Sequence, residues 1–252
     1  MVDWQSTIPI RGKMVWRRSN KQPKQKRSST RDNKMLDLYD AFVAKNKADF
    51  IIGIDEVGWG AVAGPLVLGC AVFKPDYMNL KIKDSKSFTT ERSREKALDQ
   101  VKLYALYLDI EVVSVGTISM FGAGAAIQQG LHNLASRAVA QFPNNSCVVM
   151  DGSNTIRNFT HPQAAYPKAD TFVTAVSAAS ILAKCHRDQL MTELSKEYPE
   201  YDWFANKGYP TDRHFQLIRT HGVSAYHRMN VQVIKQMHQK FGNYEDRGGT
   251  EK

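Results

Sequence analysis

The chain has 252 residues, 42% of them hydrophobic and 23% charged, proportions that suit a globular protein with one sizeable core. No apolar run is long enough to cross a bilayer, and the N-terminus lacks the apolar segment of a secretory leader. The formal net charge is +9, and it is concentrated in residues 1–34, where ten Lys and Arg face only Asp3 and Asp32.

Residues 1–47 are therefore expected to form a basic arm. Up to residue 34 it is rich in Lys, Arg, Ser, Gln and Asn, a composition that cannot bury enough apolar surface to fold alone. Such an arm suits a polyanion such as nucleic acid, with a merely solubilising tail as the alternative. Trp4 and Trp16 within it would stack on bases or dock on the body. Met35, Leu38, Tyr39 and Phe42 recur at helical spacing and predict a short lead-in helix over 35–47.

The catalytic body is expected over 48–241, with a flexible tail over 242–252. Residues 50–55 read as a short buried strand ending in acids and glycines. Residues 66–73 and 104–115 read as further strands, and 123–142 as a helix. The apolar run 147–150 reads as a central strand that stops at Asp151-Gly152, and 164–166 as a short strand after it. A long helix is predicted over 173–198, Ser- and Ala-rich early and charged late, and two more near 212–220 and 224–241. Strands first and helices later predict a layered α/β fold with a mixed sheet. The three cysteines, Cys70, Cys147 and Cys185, form no C-x-x-C pair. That argues against a disulfide framework or a zinc site and leaves a reducing, cytoplasmic setting as the expectation.

Four acids sit where a core element meets a turn: Asp55 and Glu56 at the end of the first strand, Asp151 after 147–150, and Asp170 ahead of the long helix. Each alone has a plain reading, as a solvated loop, a turn or a helix cap. Together they suggest a cation site, because like charges brought close in apolar surroundings need a cation between them. A hard divalent ion prefers oxygen ligands, and a pair of such ions suits phosphodiester cleavage. Neighbouring strand residues point to opposite faces, so Glu56 is expected to lie where the strand has already turned, helped by Gly58 and Gly60.

These acids fall inside longer motifs. Gly53-Ile54-Asp55-Glu56-Val57-Gly58-Trp59-Gly60-Ala61-Val62-Ala63-Gly64-Pro65 resembles the opening motif of the type 2 ribonucleases H, the ribonuclease HII family. Asp84-Ser85-Lys86, Met150-Asp151-Gly152 and Lys168-Ala169-Asp170 are similar to its next three. Ser177 to Lys184 with Arg187-Asp188, then Lys207-Gly208-Tyr209-Pro210-Thr211, then His227-Arg228, complete the series in order over about 50–230. The resemblance implies a ribonuclease H-like α/β fold, a mixed five-stranded sheet with flanking helices and a helical C-terminal part. It implies that Asp55, Glu56, Asp151 and Asp170 hold two Mg2+ or Mn2+ ions, one for the attacking water and one for the departing 3′-oxygen. It further implies cleavage of the RNA strand of RNA–DNA hybrids, or of ribonucleotide-containing DNA, to 5′-phosphate and 3′-hydroxyl ends. Gly58, Trp59 and Gly60 would approach the ribose 2′-hydroxyl, and Tyr209 would stack on the sugar beside the cleaved bond. Lys86 would contact a phosphate or remain a solvated lysine.

The chain departs from that family at Trp59, where Arg is usual. A guanidinium grips phosphate with several charge-assisted hydrogen bonds, whereas an indole has one neutral donor. The basic arm is a second departure, and it would contact nucleic acid. Other groups read as structural: His161, His186, His214, His221 and His227 show no metal-ligand spacing. Trp203 and Phe204 suit core or cover positions, and Ser177 and Ser180 suit close helix packing. The alternatives are a catalytically weak or inactive hybrid-binding protein of the same fold, and another four-carboxylate nuclease such as a junction resolvase. A monomer acting away from membranes is expected.

Overall fold

The computed structural model describes residues 30–77, 82 and 90–244. Residues 1–29 of the basic arm, Lys86 with its neighbours Asp84 and Ser85, and residues 245–252 lie outside the described residues.

Apolar alternation builds one mixed sheet from β1 (Phe50–Val57), β2 (Leu66–Phe73), β3 (Tyr107–Val113), β4 (Ser146–Asp151) and β5 (Gln163–Tyr166). The spatial order is β3-β2-β1-β4-β5, so β1 holds the middle and β4 lies one place from it. β1–β2 and β2–β3 are antiparallel, while β1–β4 and β4–β5 are parallel. Successive side chains leave opposite faces. Ile51, Ala71, Phe73, Cys147 and Val149 pack on one side. Ile52, Ile54, Leu68, Cys70, Val148 and Met150 pack on the other.

The first face is covered by α1 (Thr30–Lys45), α2 (Glu91–Tyr104) and α5 (Thr174–Glu197). The second carries α3 (Val115–Phe121) and α4 (Ala123–Gln141). The lead-in helix α1 seats Tyr39 in the core and receives a hydrogen bond at Leu38 O from the Tyr166 hydroxyl. The Ser- and Ala-rich start of α5 has a steric cause. A Cβ at Gly53 would collide with the backbone of Ala175 and Val176, and one at Gly69 with the backbone of Ala179. Helix and strands therefore touch main chain to main chain, which only small residues permit.

The C-terminal part forms its own apolar cluster, in which Trp203, Tyr201, Met191, Ile218, Ile234 and Met237 enclose Val62 and Ala63 of the β1–β2 connection. It contains α6 (Trp203–Asn206), α7 (Asp212–His221) and α8 (Gln232–Phe241). The last helix is shorter than the expected 224–241. Residues 224–231 use their backbone elsewhere: His227 bridges Ala63, and Arg228 N–H donates to Val62 O at 2.8 Å. α2 replaces the strand start expected at 104. Tyr244, expected in a flexible tail, is buried instead, and its hydroxyl donates to Glu200 at 2.9 Å. Among the described residues no helix is long and apolar enough to cross a membrane.

Candidate active site

The parallel pairing of β1 with β4 ends at Ile54↔Met150. The next residue on each strand is therefore an acid, Asp55 beside Asp151. By strand alternation both point toward the face covered by α5. Asp151 Oδ1 accepts the Ala169 N–H at 2.9 Å, which ties the one-turn 3-10 segment Ala169–Thr171 to the end of β4. Asp170, in that segment, is 2% exposed. Glu56 enters differently from the expectation. β1 does not turn at Glu56 but runs on to Val57, with Glu56 paired to Leu68. Glu56 thus leaves the opposite face of the strand from Asp55 and joins the group around the end of the sheet.

Electrostatics show that these carboxylates feel one another. Burial pushes the Asp55 carboxyl up to about 8, and the charges of Glu56 and Asp151 add to that rise, while hydrogen bonds from the Ser180 hydroxyl and the Glu56 N–H oppose it. Glu56 is also raised, by burial first and then by Asp151. In this arrangement no three acidic, His or Cys side chains among the described residues converge closely enough to hold an ion. The donor chemistry still fits a hard divalent cation. All four groups are oxygen acids, and mutual repulsion between desolvated carboxylates is what a cation relieves.

A cleft of about 310 Å³ runs beside the acids, lined by Glu56, Trp59, Gln128, Asp151, Ser153 and Asn154. A larger cavity of about 500 Å³ between α2 and α5, around Arg94, Cys185 and His186, includes none of the four acids. Trp59 stands on the cleft wall with 52% of its surface exposed. Gly58 has φ +98, and a Cβ there would strike the Arg187 side chain. Gly60 has open space around it, so packing does not demand a glycine there.

Two buried arginines build this turn, and sequence reasoning assigned them no role. Arg187 donates to Pro65 O, Lys207 O and Ala63 O at 3.0, 3.0 and 3.3 Å. Arg228 donates to Gly58 O at 2.7 Å, Gly64 O at 2.9 Å, Pro65 O at 3.1 Å and Trp59 O at 3.3 Å. Burial, and then the charge of Arg187, lower Arg228 to about 10. Tyr209 lies over the same region, with the Arg187 guanidinium 5.2 Å from its ring centre. Gly208 O accepts Val62 N–H and Ala63 N–H at 2.9 and 3.1 Å, which joins the Tyr209 loop to the glycine turn. Ser180, expected only to pack, holds Asp55. Phe204, expected in core or cover, is 62% exposed beneath the Lys207 ammonium. Trp203 is fully buried as expected. Lys86 lies outside the described residues.

The fold is shared with solved ribonucleases H of the H2 and HIII types. Ribonuclease H2 from Pyrococcus horikoshii superposes with a TM-score of 0.60 at 23% identity, over 76% of this chain and 98% of that one. Bst-RNase HIII in complex with Mn2+ superposes with a TM-score of 0.57 at 15% identity, over 79% and 72%. Within this fold, a sequence profile for Ribonuclease HII matches residues 52–238. The chain is 36% identical to the Ribonuclease HII of Phocaeicola vulgatus over 190 residues, 75% of this chain and 92% of that protein. It is 34% identical to that of Cytophaga hutchinsonii over 177 residues, 70% and 86%. The chain belongs to the ribonuclease HII family, the type 2 ribonucleases H.

Proposed function

We propose that the chain is an endonuclease that hydrolyses the RNA strand of RNA–DNA hybrids, and cuts 5′ of ribonucleotides embedded in DNA, leaving 5′-phosphate and 3′-hydroxyl ends. The observation that supports it most directly is the ending of β1–β4 pairing at Ile54↔Met150, which sets Asp55 and Asp151 side by side. Asp55, Glu56, Asp151 and Asp170 would hold two divalent ions, Mg2+ or Mn2+, which when bound supply an activated water and charge neutralisation at the departing oxygen. The chain's own groups orient and desolvate. Ser180 holds the Asp55 carboxylate, and the Ala169 N–H holds that of Asp151. The turn at Gly58 and Gly60 offers backbone to the ribose 2′-hydroxyl, the atom that separates RNA from DNA. Tyr209 covers the sugar next to the cleaved bond. The basic arm of residues 1–47 supplies salt-dependent affinity for the polyanion, and the body over 48–241 performs the chemistry as a monomer.

The test is cleavage of a labelled RNA–DNA hybrid beside a DNA duplex with one ribonucleotide, in Mg2+ and in Mn2+. Asp151→Asn is expected to lower kcat by about a thousandfold, as expected when several kcal/mol of charge stabilisation is lost. Tight, salt-sensitive binding with no cleavage in either metal would replace this reading with that of an inactive hybrid-binding protein.

A further inference from the structure

Between α6, α7 and the 224–231 segment lies a buried polar chain that the chemistry described above does not use. Trp203 Nε1–H donates to His214 Nε2 at 3.0 Å. His214 Nε2 lies 3.2 Å from His227 Nε2, and His214 Nδ1 lies 2.9 Å from Tyr209 O. The Ser224 N–H donates to His227 Nδ1 at 3.0 Å. Both rings are buried, at 0% and 1% exposure.

Donor and acceptor rules leave one assignment. Ser224 N–H makes His227 Nδ1 an acceptor, so a neutral His227 carries its proton on Nε2 and donates it to His214 Nε2. His214 Nε2 is then an acceptor from both His227 and Trp203. Its own proton sits on Nδ1 and points at Tyr209 O, which can only accept. Every polar atom of the two rings is used, and burial holds both below their ordinary protonation range. The chain runs in one direction, from Ser224 to Tyr209.

His227 is followed directly by Arg228, whose guanidinium reaches Gly58 O and Trp59 O. One dipeptide therefore reaches the glycine turn with one side chain and the Tyr209 carbonyl, through His214, with the other. The second donor to Tyr209 O is Thr211 N–H at 2.9 Å, from the same loop. His214 is the donor that anchors this carbonyl to the core.

We propose that His214 and His227 are positioning residues: a directional hydrogen-bond relay that fixes the Tyr209 loop relative to the glycine turn, and with it the preference for an RNA–DNA junction. The inference rests on the reading of Tyr209 given above. Asn at a histidine site keeps a group near Nδ1, and Gln keeps one near Nε2. His214→Asn retains a donor to Tyr209 O and loses the acceptor for Trp203 and His227. His214→Gln does the reverse.

The measurement is kcat and KM of the full chain on a junction substrate and on a uniform hybrid, with Tm for each variant. His214→Gln is expected to lower the junction-to-hybrid ratio of kcat/KM about tenfold, the factor carried by one hydrogen bond of ordinary net strength. His214→Asn, which keeps the donor to Tyr209 O but loses the links to His227 and Trp203, is expected to lower the ratio by a smaller factor while Tm falls further. Should the 214 variants fail to fold, His227→Gln, which keeps the donor to His214, holds the ratio, and His227→Asn lowers it. Ratios that track Tm in both members of a pair, or that match wild type in all four, overturn the relay. A ratio indifferent to Tyr209→Ala overturns the role of Tyr209 first, and the relay with it.

Discussion

Trp59 is the position at which the opening motif reads as a departure from the ribonuclease HII pattern, and the structure leaves room for such a change. Its indole is mostly in solvent, and only its main-chain carbonyl is used by the fold, as an acceptor for Arg228. About half of the side chain is exposed, so a substitution there is expected to disturb packing little. Trp59→Arg is expected to fold as wild type and to raise cleavage at a single embedded ribonucleotide relative to a uniform hybrid by about tenfold, the worth of one charge-assisted hydrogen bond. An unchanged ratio between those substrates in the Arg variant would discard this account. Gly58 is the opposite case. With φ +98 and Arg187 packed behind it, Gly58→Ala is expected to cost about 2 kcal/mol from backbone conformation alone. Displacement of Arg187 would add to that cost, so a denaturation midpoint equal to wild type would show that the turn is not built as described. Asp55 and Glu56 carry a lesson of the same scale. The turn expected at Glu56 is absent: β1 runs on to Val57, and the period of two keeps the two acids on opposite faces. What sets Asp55 beside Asp151 is the end of the β1–β4 pairing, a feature that a single sequence does not display.

At the scale of elements, the joint between α5 and the sheet was half legible. The run of Ala and Ser in 175–183 pointed to close helix packing, Gly53 stood in the opening motif, and Gly69 lay inside a predicted strand. Only the register shows that these two features are two sides of one seam. Gly53→Ala inserts a Cβ against the Ala175 and Val176 backbone, which cannot move aside as a side chain can. The expected loss is about 3 kcal/mol from overpacking, and a Tm within a degree or two of wild type would refute the main-chain contact. Among the differences between expectation and structure, α2 and the segment 224–231 have a clear physical reason. α2 buries little more than Ala97 and Val101 among charged neighbours, too narrow a stripe to reveal its period. The segment 224–231 carries apolar residues at spacings that read as helix, yet Arg228 N–H donates to Val62 O and Tyr226 O accepts from Gly64 N–H, pairing it with a distant loop. Tertiary pairing there overrides local preference.

At the scale of the molecule, the sheet carries Asp55, Glu56 and Asp151, and the C-terminal cluster carries the Tyr209 loop that is hydrogen-bonded to Val62 and Ala63, so the arrangement depends on both being docked. Acid weakens the fold in a predictable way. An unfolded histidine binds its proton near 6.5, whereas folded His227 does so only at about 3. Below pH 6.5 the unfolded chain therefore holds the extra proton, and this histidine's share of stability is lost as pH falls through that window, by up to about 1.4 kcal/mol per pH unit. Above pH 6.5 it has no effect. His214, lowered by burial as well, acts in the same sense. Urea midpoints measured between pH 7.5 and 5 should fall more steeply for wild type than for His227→Gln, and equal slopes would count against the assignment. The seam at Gly53 and Gly69 has one more consequence. A joint made of main chain has no rotamers to exchange, so it cannot loosen by degrees. Warming should leave Ser180 seated against Asp55 until the whole domain lets go, and activity should vanish together with the fold rather than ahead of it.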